Sequence, residues 1–291
     1  MQGLITAVAT PFDKEGKLNG KMLRDIMDWN VRMGADGFFV AGSSGECFLL
    51  SEEERMQLFE EAAPFAGKTQ LIAHVGALDT AQAQRYARRA MALGYDMVAA
   101  TPPFYYPFSP AETARYFEEI AEASGKPVLY YNFPASTGKQ LDLGHEAYRR
   151  LLCSGTIGAV KQTYLDLKQM ERIHHLNPSL KIFGGYDEVM VAALAIGEDG
   201  SIGSSFNFMA GHFRKIFDLA KAGKAEEALR LQEKANNIMD ALTNAGLVPA
   251  IKYALSLLGY DAGAPRRPFL PLGEDAQASV RAAIEADLEN E

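Results

Sequence analysis

A lysine and a tyrosine stand at the ends of two successive apolar runs in the middle of the chain. Lys161 ends Ile157–Lys161, and Tyr131 stands near the end of Val128–Asn132. Burial disfavours the ammonium form of a lysine and leaves a neutral amine that can attack a ketone and form an iminium. A nearby phenol can carry a proton to or from a substrate hydroxyl. The pair indicates Schiff-base aldolase chemistry, although a solvent-facing lysine and a tyrosine that only packs remain alternatives.

A glycine-flanked pair of hydroxyls offers a second chemical feature. Ser43 and Ser44 lie in Gly42-Ser43-Ser44-Gly45-Glu46, directly after an apolar run. Glycines let the backbone approach an anion, and the hydroxyls and N–H groups can donate to a carboxylate. A plain tight turn is the competing interpretation, because such turns are common.

Acidic and hydroxyl residues follow two later apolar runs. Asp187 and Glu188 come after Lys181–Gly184, and Ser204 follows Ser201–Gly203. Adjacent carboxylates can accept hydrogen bonds from several hydroxyls, which suits a polyol substrate. Alternatively, the two acids only favour the N-terminus of a following helix through its dipole.

The histidines and cysteines do not predict a metal site. The five histidines have no ligand spacing relative to carboxylates or cysteines, and His74 is expected to be a core histidine in a strand. Cys47 and Cys153 are too few for a disulfide framework and are interpreted as small apolar fillers. No cofactor is expected either.

Short apolar runs alternate with longer amphipathic segments along most of the chain, which is typical of repeated βα units and a parallel sheet. The predicted strands are Leu4–Ala9, Gly37–Val40, Gln70–Val75, Met97–Ala100, Val128–Asn132, Ile157–Lys161, Lys181–Gly184 and Ser201–Gly203. The helices marked between them are Gly20–Gly34, Glu52–Phe65, Ala81–Leu93, Ala111–Ser124, Tyr164–His175 and Tyr186–Ile196. Three more are predicted at Lys224–Ala245, Pro249–Leu258 and Asp275–Leu288.

Eight such units predict a (β/α)₈ barrel, a TIM barrel, with a C-terminal helical extension. We place the barrel in residues 1–222 and the extension in residues 223–291. An open doubly wound sheet is the alternative, but Thr10-Pro11-Phe12 stands where its glycine-rich phosphate turn would follow the first strand. In a barrel, the polar residues that close the strands meet at one face, where catalytic residues belong.

Composition limits the classes of partner. The chain has 291 residues, 48% hydrophobic and 23% charged, with a formal net charge of −8, values of an ordinary globular enzyme. An acidic chain offers no global attraction for nucleic acid or an anionic membrane surface. No stretch has the length and apolarity of a membrane span or the character of a signal peptide, so a cytoplasmic protein is expected.

Several motifs stand in register at the predicted strand ends, and together they resemble the N-acetylneuraminate lyase and dihydrodipicolinate synthase superfamily. The match is best to its lyases that act on sialic acid and runs from Leu4 to Pro271. The motifs are Gly42-Ser43-Ser44-Gly45-Glu46, Phe104-Tyr105-Tyr106-Pro107-Phe108, Tyr131-Asn132-Phe133-Pro134-Ala135, Val160-Lys161-Gln162-Thr163, Gly185-Tyr186-Asp187-Glu188 and Arg266-Arg267-Pro268-Phe269.

The resemblance implies a role for each matching residue. Lys161 would form the Schiff base with pyruvate, Tyr131 would move the proton, and Ser43 and Ser44 would hold the pyruvyl carboxylate. Tyr106 would reach across a subunit interface towards a neighbouring active site, in a homotetramer built as a dimer of dimers. The positions that would bind the sugar hydroxyls are Thr163, Gly185, Asp187, Glu188 and Ser204.

Two positions depart from the superfamily's patterns. Ser44 stands where the lyases usually have threonine, and it keeps the hydroxyl. Ser136 stands where the dihydrodipicolinate synthases carry an arginine for a substrate carboxylate, so that anion clamp is missing.

Three functions remain open on the sequence. The first is retro-aldol cleavage of sialic acid, and the second is another pyruvate-dependent aldolase or synthase, such as a 2-keto-3-deoxy sugar acid aldolase. The third is a non-catalytic barrel that only binds 2-oxo acids. Lys161 with Tyr131 disfavours the third, because binding alone needs no amine and proton carrier, and Asp187 with Glu188 favours the first over a synthase.

Overall fold

The computed structural model describes residues 1–288 and confirms the predicted barrel. Eight parallel strands pair in chain order and the eighth pairs with the first, so the sheet is closed. The strands are β1 (Gly3–Ala7), β2 (Gly37–Val40), β3 (Gln70–His74), β4 (Met97–Ala100), β5 (Val128–Asn132), β6 (Ile157–Gln162), β7 (Lys181–Gly184) and β8 (Gly200–Gly203). A closed parallel sheet needs a crossover after every strand, which explains the βα alternation in the sequence.

Helices surround the barrel and continue beyond it. They are α1 (Gly20–Arg32), α2 (Glu52–Ala62), α3 (Thr80–Ala92), α4 (Pro110–Ser124), α5 (Pro134–Thr137), α6 (Glu146–Cys153), α7 (Leu167–Leu176), α8 (Met190–Ala195), α9 (Phe206–Lys221), α10 (Ala225–Ala245), α11 (Leu247–Leu257) and α12 (Glu274–Asp287). Short 3₁₀ turns lie at Cys47–Leu49, Ala63–Phe65 and Asp187–Val189.

Successive strand residues face opposite sides of the sheet, and this alternation builds two apolar layers. The layer inside the barrel consists of Ile5, Ala7, Phe39, Ile72, Ala99, Leu129, Tyr131, Ala159, Phe183 and Ile202. The larger layer lies between the barrel and its helices. Tyr130 belongs to this outer layer and stacks on Phe117 of α4 with ring centres 4.5 Å apart. Tyr130 and Tyr131 therefore point to opposite sides of the sheet.

Local capping explains several helix boundaries. Ser51 and Glu54 form a capping box at the start of α2. Pro64 then turns the end of the predicted helix Glu52–Phe65 into a 3₁₀ turn, since proline has no N–H to donate. The predicted helix Tyr164–His175 begins only at Leu167, because the side chain of Asp166 accepts from Gln169 N.

Three helices were not marked by the sequence pattern: α5, α6 and α9. The first two have 4 and 8 residues, too short for a periodic pattern to emerge. The third, α9, has non-helical backbone angles at Met209 and is buried at most of its first eight positions. Over this buried first half, apolar residues lie on several sides of the helix and form no single stripe.

The C-terminal extension packs on the βα units that end the barrel. Helix α10 lies against α8, α9 and the 3₁₀ turn Asp187–Val189, and α11 and α12 pack on α10 in turn. The last residues of the predicted extension, 289–291, lie outside the described residues. The extension thus contacts the mouth of the barrel at two places. Helix α10 contacts the turn after β7, and α11 contacts the turn after β2.

Candidate active site

Lys161 lies on the inner side of β6, near its carboxyl end. The residue is 4% exposed, and its Cα pairs with those of Tyr131 on β5 and Phe183 on β7. Its Nζ lies 4.3 Å from the ring centre of Tyr131 and 4.9 Å from that of Phe39. The amine is therefore buried and bordered by aromatic rings, as the strand-end position predicts.

Tyr131 is held among other rings inside the barrel. Its ring contacts Phe39 edge-on at 5.7 Å between centres and stacks on Phe133 at 5.6 Å. Such packing restricts the ring to one orientation beside Lys161. The predicted pair of lysine and tyrosine is thus brought together by adjacent strands.

The turn after β2 presents two uncommitted N–H groups. Gly45 N donates to Gly42 O and Glu46 N donates to Ser43 O, each at 3.0 Å. Within residues 1–288, the N–H groups of Ser43 and Ser44 donate to no other group. Ser43 is exposed and Ser44 half-buried. The turn can therefore offer two hydroxyls and two amides to an anion, although the structure records no direct contact between this turn and Lys161.

Unusual backbone conformations shape this turn. Ala41 and Glu46 both have positive φ, at 57° and 59°, which costs a residue with a side chain about 1–2 kcal/mol each. Surrounding contacts hold them: His74 Nδ1 lies 3.1 Å from Ala41 O, and Thr10 Oγ1 donates to Gly45 O at 2.7 Å. Burial lowers the pKa of His74 well below its usual value, so the imidazole is neutral. It is the core histidine that was predicted, and its other ring nitrogen accepts from Thr101 N.

A buried ion pair joins the same turn to the C-terminal extension. Lys252 Nζ of α11 lies 2.7 Å from Glu46 Oε1, and the two side chains are 3% and 0% exposed. The contact is close but poorly aligned as a hydrogen bond. Arg266 N donates to the other oxygen of Glu46 at 2.5 Å, and Phe12 lies beneath Lys252 Nζ at 4.2 Å. Removing one partner of such a pair strands a buried charge, so the pair fixes Glu46 firmly.

Asp187 is bonded to the N-terminus of α9. Its Oδ2 accepts from Ser205 Oγ at 2.6 Å and from Ser205 N at 3.0 Å. Burial raises the pKa of Asp187, and the hydrogen bonds from Ser205 oppose that rise. One oxygen of this predicted substrate ligand is therefore engaged within the protein, and Ser204 lies beside it, half-buried.

Glu188 is half-buried. Burial, and then the charge of Asp187, raise its pKa to about 7, and Asp240 of α10 adds to the effect. Near neutral pH this carboxyl therefore exists in both charged and neutral forms and can accept or donate a hydrogen bond.

Two buried oxygens near the amine have no partner in the part of the chain that the structure describes: Thr163 Oγ1 and Asp187 Oδ1. Glycines make room beside both. A Cβ at Gly185 would lie 3.0 Å from Lys161 Cε and would overlap Thr163 Oγ1, and one at Gly203 would overlap Asp187 Oδ1. Buried polar atoms without partners are rare, so these two indicate where a ligand hydroxyl would bind.

Tyr106 is not brought to Lys161 within one chain. It lies after β4, is 60% exposed, and contacts Tyr105 and Phe108. A cavity of about 280 Å³, of which Tyr106 is not part, is lined by Ser43, Thr101, Phe104, Phe133 and Ser136 among others. Its lining is mostly apolar around a few hydroxyls, as in many small-molecule sites.

Sequence reasoning missed several residues that shape this site. Phe39 borders the amine, Ser205 binds Asp187, and Lys252 pairs with Glu46. The alternation of β2 could have placed Phe39 inside the barrel. Nothing local marks Ser205 or Lys252, since their partners are far away in the chain.

No cluster of three or more histidine, cysteine, aspartate or glutamate side chains within residues 1–288 is placed to hold a metal ion. No helix in the same range has the length and apolarity to cross a membrane.

The closed barrel, with a buried lysine and unpartnered hydrogen-bonding atoms at the carboxyl ends of its strands, has the arrangement of a βα-barrel enzyme. The comparison with known families gives the particular group. The model of the dihydrodipicolinate synthetase family matches residues 1–287, and the chain belongs to this family.

Relatives within the family cover almost the whole chain. An N-acetylneuraminate lyase of Rhizobium meliloti is 38% identical over 285 residues, which are 98% of this chain and 94% of the relative. CdNal of Clostridium difficile, solved in complex with mannosamine, has a TM-score of 0.94 at 34% identity, over 99% of each chain. N-acetylneuraminate lyase of Fusobacterium nucleatum, complexed with pyruvate, has a TM-score of 0.92 at 33% identity, over 99% of this chain and 98% of that one.

Proposed function

We propose that this chain is an N-acetylneuraminate lyase, which cleaves sialic acid reversibly into pyruvate and N-acetylmannosamine through a Schiff base on Lys161. The observation that carries the proposal is the buried amine of Lys161 beside Tyr131, with the unpartnered oxygens of Thr163 and Asp187 nearby. Relatives of that name, 38% identical over almost the full length, support it.

In the first step, Lys161 Nζ attacks the ketone carbon of the open-chain substrate. The hydroxyl of the resulting carbinolamine takes a proton from Tyr131 and leaves as water, which gives an iminium. The iminium draws electrons from the bond between its neighbouring carbon and the carbon that bears the hydroxyl. The faces of Tyr131 and Phe39 lie within 5 Å of Nζ and favour a cation there. The packing of the amine therefore suits the charged intermediate.

In the second step, the phenolate of Tyr131 left by the first step removes the proton from the substrate hydroxyl whose carbon becomes the aldehyde. The bond between this carbon and its neighbour breaks, and its electron pair neutralises the iminium to an enamine. Protonation of the enamine and hydrolysis then release pyruvate and free the lysine. Tyr131 acts here because it lies on the strand next to Lys161 and its ring is fixed by Phe133.

The two ends of the substrate are assigned to two groups of residues. The pyruvyl carboxylate is placed at Ser43 and Ser44, whose hydroxyls and free N–H groups can donate to it. We assign the hydroxyls of the sugar chain to a second group of residues, which consists of Thr163, Gly185, Asp187, Glu188 and Ser204.

We further assign a homotetramer, in which Tyr106 reaches the site of a neighbouring subunit. Tyr105 and Tyr106 are 71% and 60% exposed, and a pair of exposed tyrosines is typical of a surface that another protein covers. Light scattering behind size exclusion measures the state directly. A monomer that retains full activity would refute the role of Tyr106.

Another pyruvate-dependent aldolase is the second candidate, because the family that matches this chain is named for a synthase. Among the described residues, the cavity near Ser43 is lined by Ser136 and by no arginine, which disfavours the synthase itself. A 2-keto-3-deoxy sugar acid aldolase would keep Lys161 and Tyr131 and bind a different polyol.

A substrate panel tests the proposal. Purified protein is assayed with sialic acid, with 2-keto-3-deoxygluconate, and with pyruvate plus aspartate semialdehyde, and is trapped in parallel with pyruvate and borohydride. The proposal expects cleavage of sialic acid and one reduced pyruvyl group at Lys161. If the protein traps pyruvate but cleaves only 2-keto-3-deoxygluconate, the second candidate replaces the first. If active protein is labelled at another lysine, the Schiff-base assignment is wrong.

A further inference from the structure

Two side-chain amides of α10 reach the backbone of the acidic turn. Gln232 Nε2 donates to Asp187 O at 2.9 Å, and Asn236 Nδ2 donates to Glu188 O at 3.1 Å. The amides are themselves joined, because Gln232 Nε2 also donates to Asn236 Oδ1 at 2.9 Å. Both carbonyls of the acidic pair are thus bound from outside the barrel, by residues one helical turn apart.

The carbonyl of Gln232 completes the arrangement. Its Oε1 accepts from Val191 N at 3.4 Å, an N–H in the first turn of α8 that has no acceptor within its own helix. Gln232 is 4% exposed, so its hydrogen bonds are shielded from water and its replacement leaves buried groups unpaired. One buried amide therefore connects Asp187 to the start of α8.

We propose that Gln232 and Asn236 are positioning residues that set the affinity for the polyol end of the substrate. They hold the backbone from which the carboxylates of Asp187 and Glu188 project. This inference rests on the proposed function, since it takes those two carboxylates as the ligands of the sugar hydroxyls. It places a determinant of substrate choice in the C-terminal extension, outside the barrel that carries the reacting groups.

The side chains and the backbone of the acidic pair are held by different partners. Ser205 holds one oxygen of its carboxylate at 2.6 Å, which fixes the side chain, while Gln232 holds its backbone. Glu188 has the support of Asn236 on its backbone, and its carboxyl lies near the charges of Asp187 and Asp240. Without the amides, repulsion between these acids is free to move Glu188 away from its present position.

Three variants test the proposal, and they change Gln232, Asn236 and the neighbouring Asn237. Asn236→Ala and Gln232→Met remove the amides, and Asn237→Ala is the matched control. Asn237 is the next residue on the same helix, is exposed, and bonds only to Asp287 at 3.0 Å among the contacts recorded for it. For each protein, KM is measured separately for pyruvate and for the aldehyde sugar in the direction of synthesis, together with thermal unfolding.

If the displaced turn loses one hydrogen bond to the sugar, affinity falls about tenfold, so Gln232→Met should raise KM for the sugar about tenfold and Asn236→Ala, which frees only one carbonyl, about threefold to fivefold. KM for pyruvate and borohydride trapping at Lys161 should be unchanged in both variants. Asn237→Ala should match the wild-type protein in both KM values.

Other outcomes overturn the inference. If the variants unfold at lower temperature but keep the wild-type KM for the sugar, the amides are only structural. If KM for pyruvate rises equally, the damage is general. Failure of the proposed function is recognised separately, because wild-type protein would then not cleave sialic acid. The same variants are in that case measured with the sugar acid that the wild-type protein does cleave.

Discussion

Two parts of the barrel mouth differ in the environment that they give to a charged side chain. Around Lys161 the neighbours are aromatic rings, and the nearest are those of Tyr131 and Phe39. In the turn after β7, the buried carboxylate of Asp187 and the half-buried one of Glu188 lie next to each other, and burial raises the pKa of both. The amine of Lys161 thus lies against rings that favour a cation, whereas the two acids lie where burial disfavours their charge.

This difference suggests that the two parts have different roles, covalent chemistry at the amine and substrate recognition at the acids. The amine of Lys161 lies against rings, with the unpartnered oxygens of Thr163 and Asp187 nearby, which suits a group that must form and break a covalent bond. The acid side is held rigidly by Ser205, Gln232 and Asn236, which suits recognition of a fixed pattern of hydroxyls. If this is correct, substitutions on the two sides should affect different measurements.

The largest effect is expected for Lys161→Ala. The variant lacks the amine that forms the iminium, so both turnover and borohydride trapping of pyruvate should be abolished. Lys168→Ala, which changes an exposed lysine at the start of α7, serves as the control and should behave as the wild-type protein. Residual trapping in Lys161→Ala would show that another lysine reacts.

A smaller loss, confined to the rate, is expected for Tyr131→Phe. Without the phenol, kcat should fall about 10²–10⁴-fold, the usual contribution of a positioned acid or base, while pyruvate is still trapped. Tyr130→Phe is the matched control, since that hydroxyl lies in the outer layer, and its kcat should stay near the wild-type value. Equal rates for the two variants would make Tyr131 a packing residue.

On the acid side, Glu188→Gln should weaken cleavage of sialic acid and leave trapping of pyruvate intact. A hydrogen bond to a charged acceptor contributes about 1.5–3 kcal/mol, so kcat/KM should fall about tenfold to a hundredfold. Asp187→Asn should lower kcat/KM similarly, but it also weakens the bonds to Ser205, so its unfolding temperature must be measured as well. Parallel losses of cleavage and trapping would contradict the division between the two sides.

The smallest effect concerns stability against pH. The pKa of Glu188 is raised to about 7 in the folded protein, so the folded state binds its proton more tightly than the unfolded state. The corresponding stability is present below the unfolded pKa and is lost as pH rises through about 7. Because Glu188 is only half-buried, the loss should be on the order of 1–3 kcal/mol.

Denaturant unfolding between pH 5 and 8 measures this loss, and Glu188→Gln should flatten the decline without removing it. Glu198, whose pKa burial raises to about 8, contributes a decline of the same sign in both proteins. If Glu188→Gln leaves the slope unchanged, Glu188 ionises as an exposed carboxyl does.

The fold was largely predictable from the sequence because each strand carries its own local pattern. All eight strands were placed, and β2, β4, β5 and β7 have the predicted bounds. The first strand was predicted to reach Ala9 but ends at Ala7, and Ala9 N donates instead to Asn207 Oδ1 of α9. Such an end depends on a residue far along the chain, which no local pattern contains.

Within the site, the juxtaposition of Lys161 and Tyr131 was predictable for the same reason. Lys161 and Tyr131 close strands, so the barrel rule brings them together without further information. Other contacts depend on how α9, α10 and α11 pack. These are the bond between Asp187 and Ser205 and the approach of Gln232 and Lys252 to the barrel mouth. The proposed roles of Ser43, Thr163 and Tyr106 stay predictions until a bound substrate or a variant tests them.

The ion pair between Glu46 and Lys252 has a consequence for synthesis of the protein on the ribosome. The turn with Ser43 and Ser44 is made early, but Arg266 N, which binds Glu46, lies 220 residues further along the chain. A nascent chain that has completed all eight strands therefore still lacks both groups that neutralise and bind Glu46. Until α11 and the segment after it emerge, the turn with Ser43 and Ser44 lacks these two supports of Glu46, so we expect catalysis to begin only when translation is nearly finished.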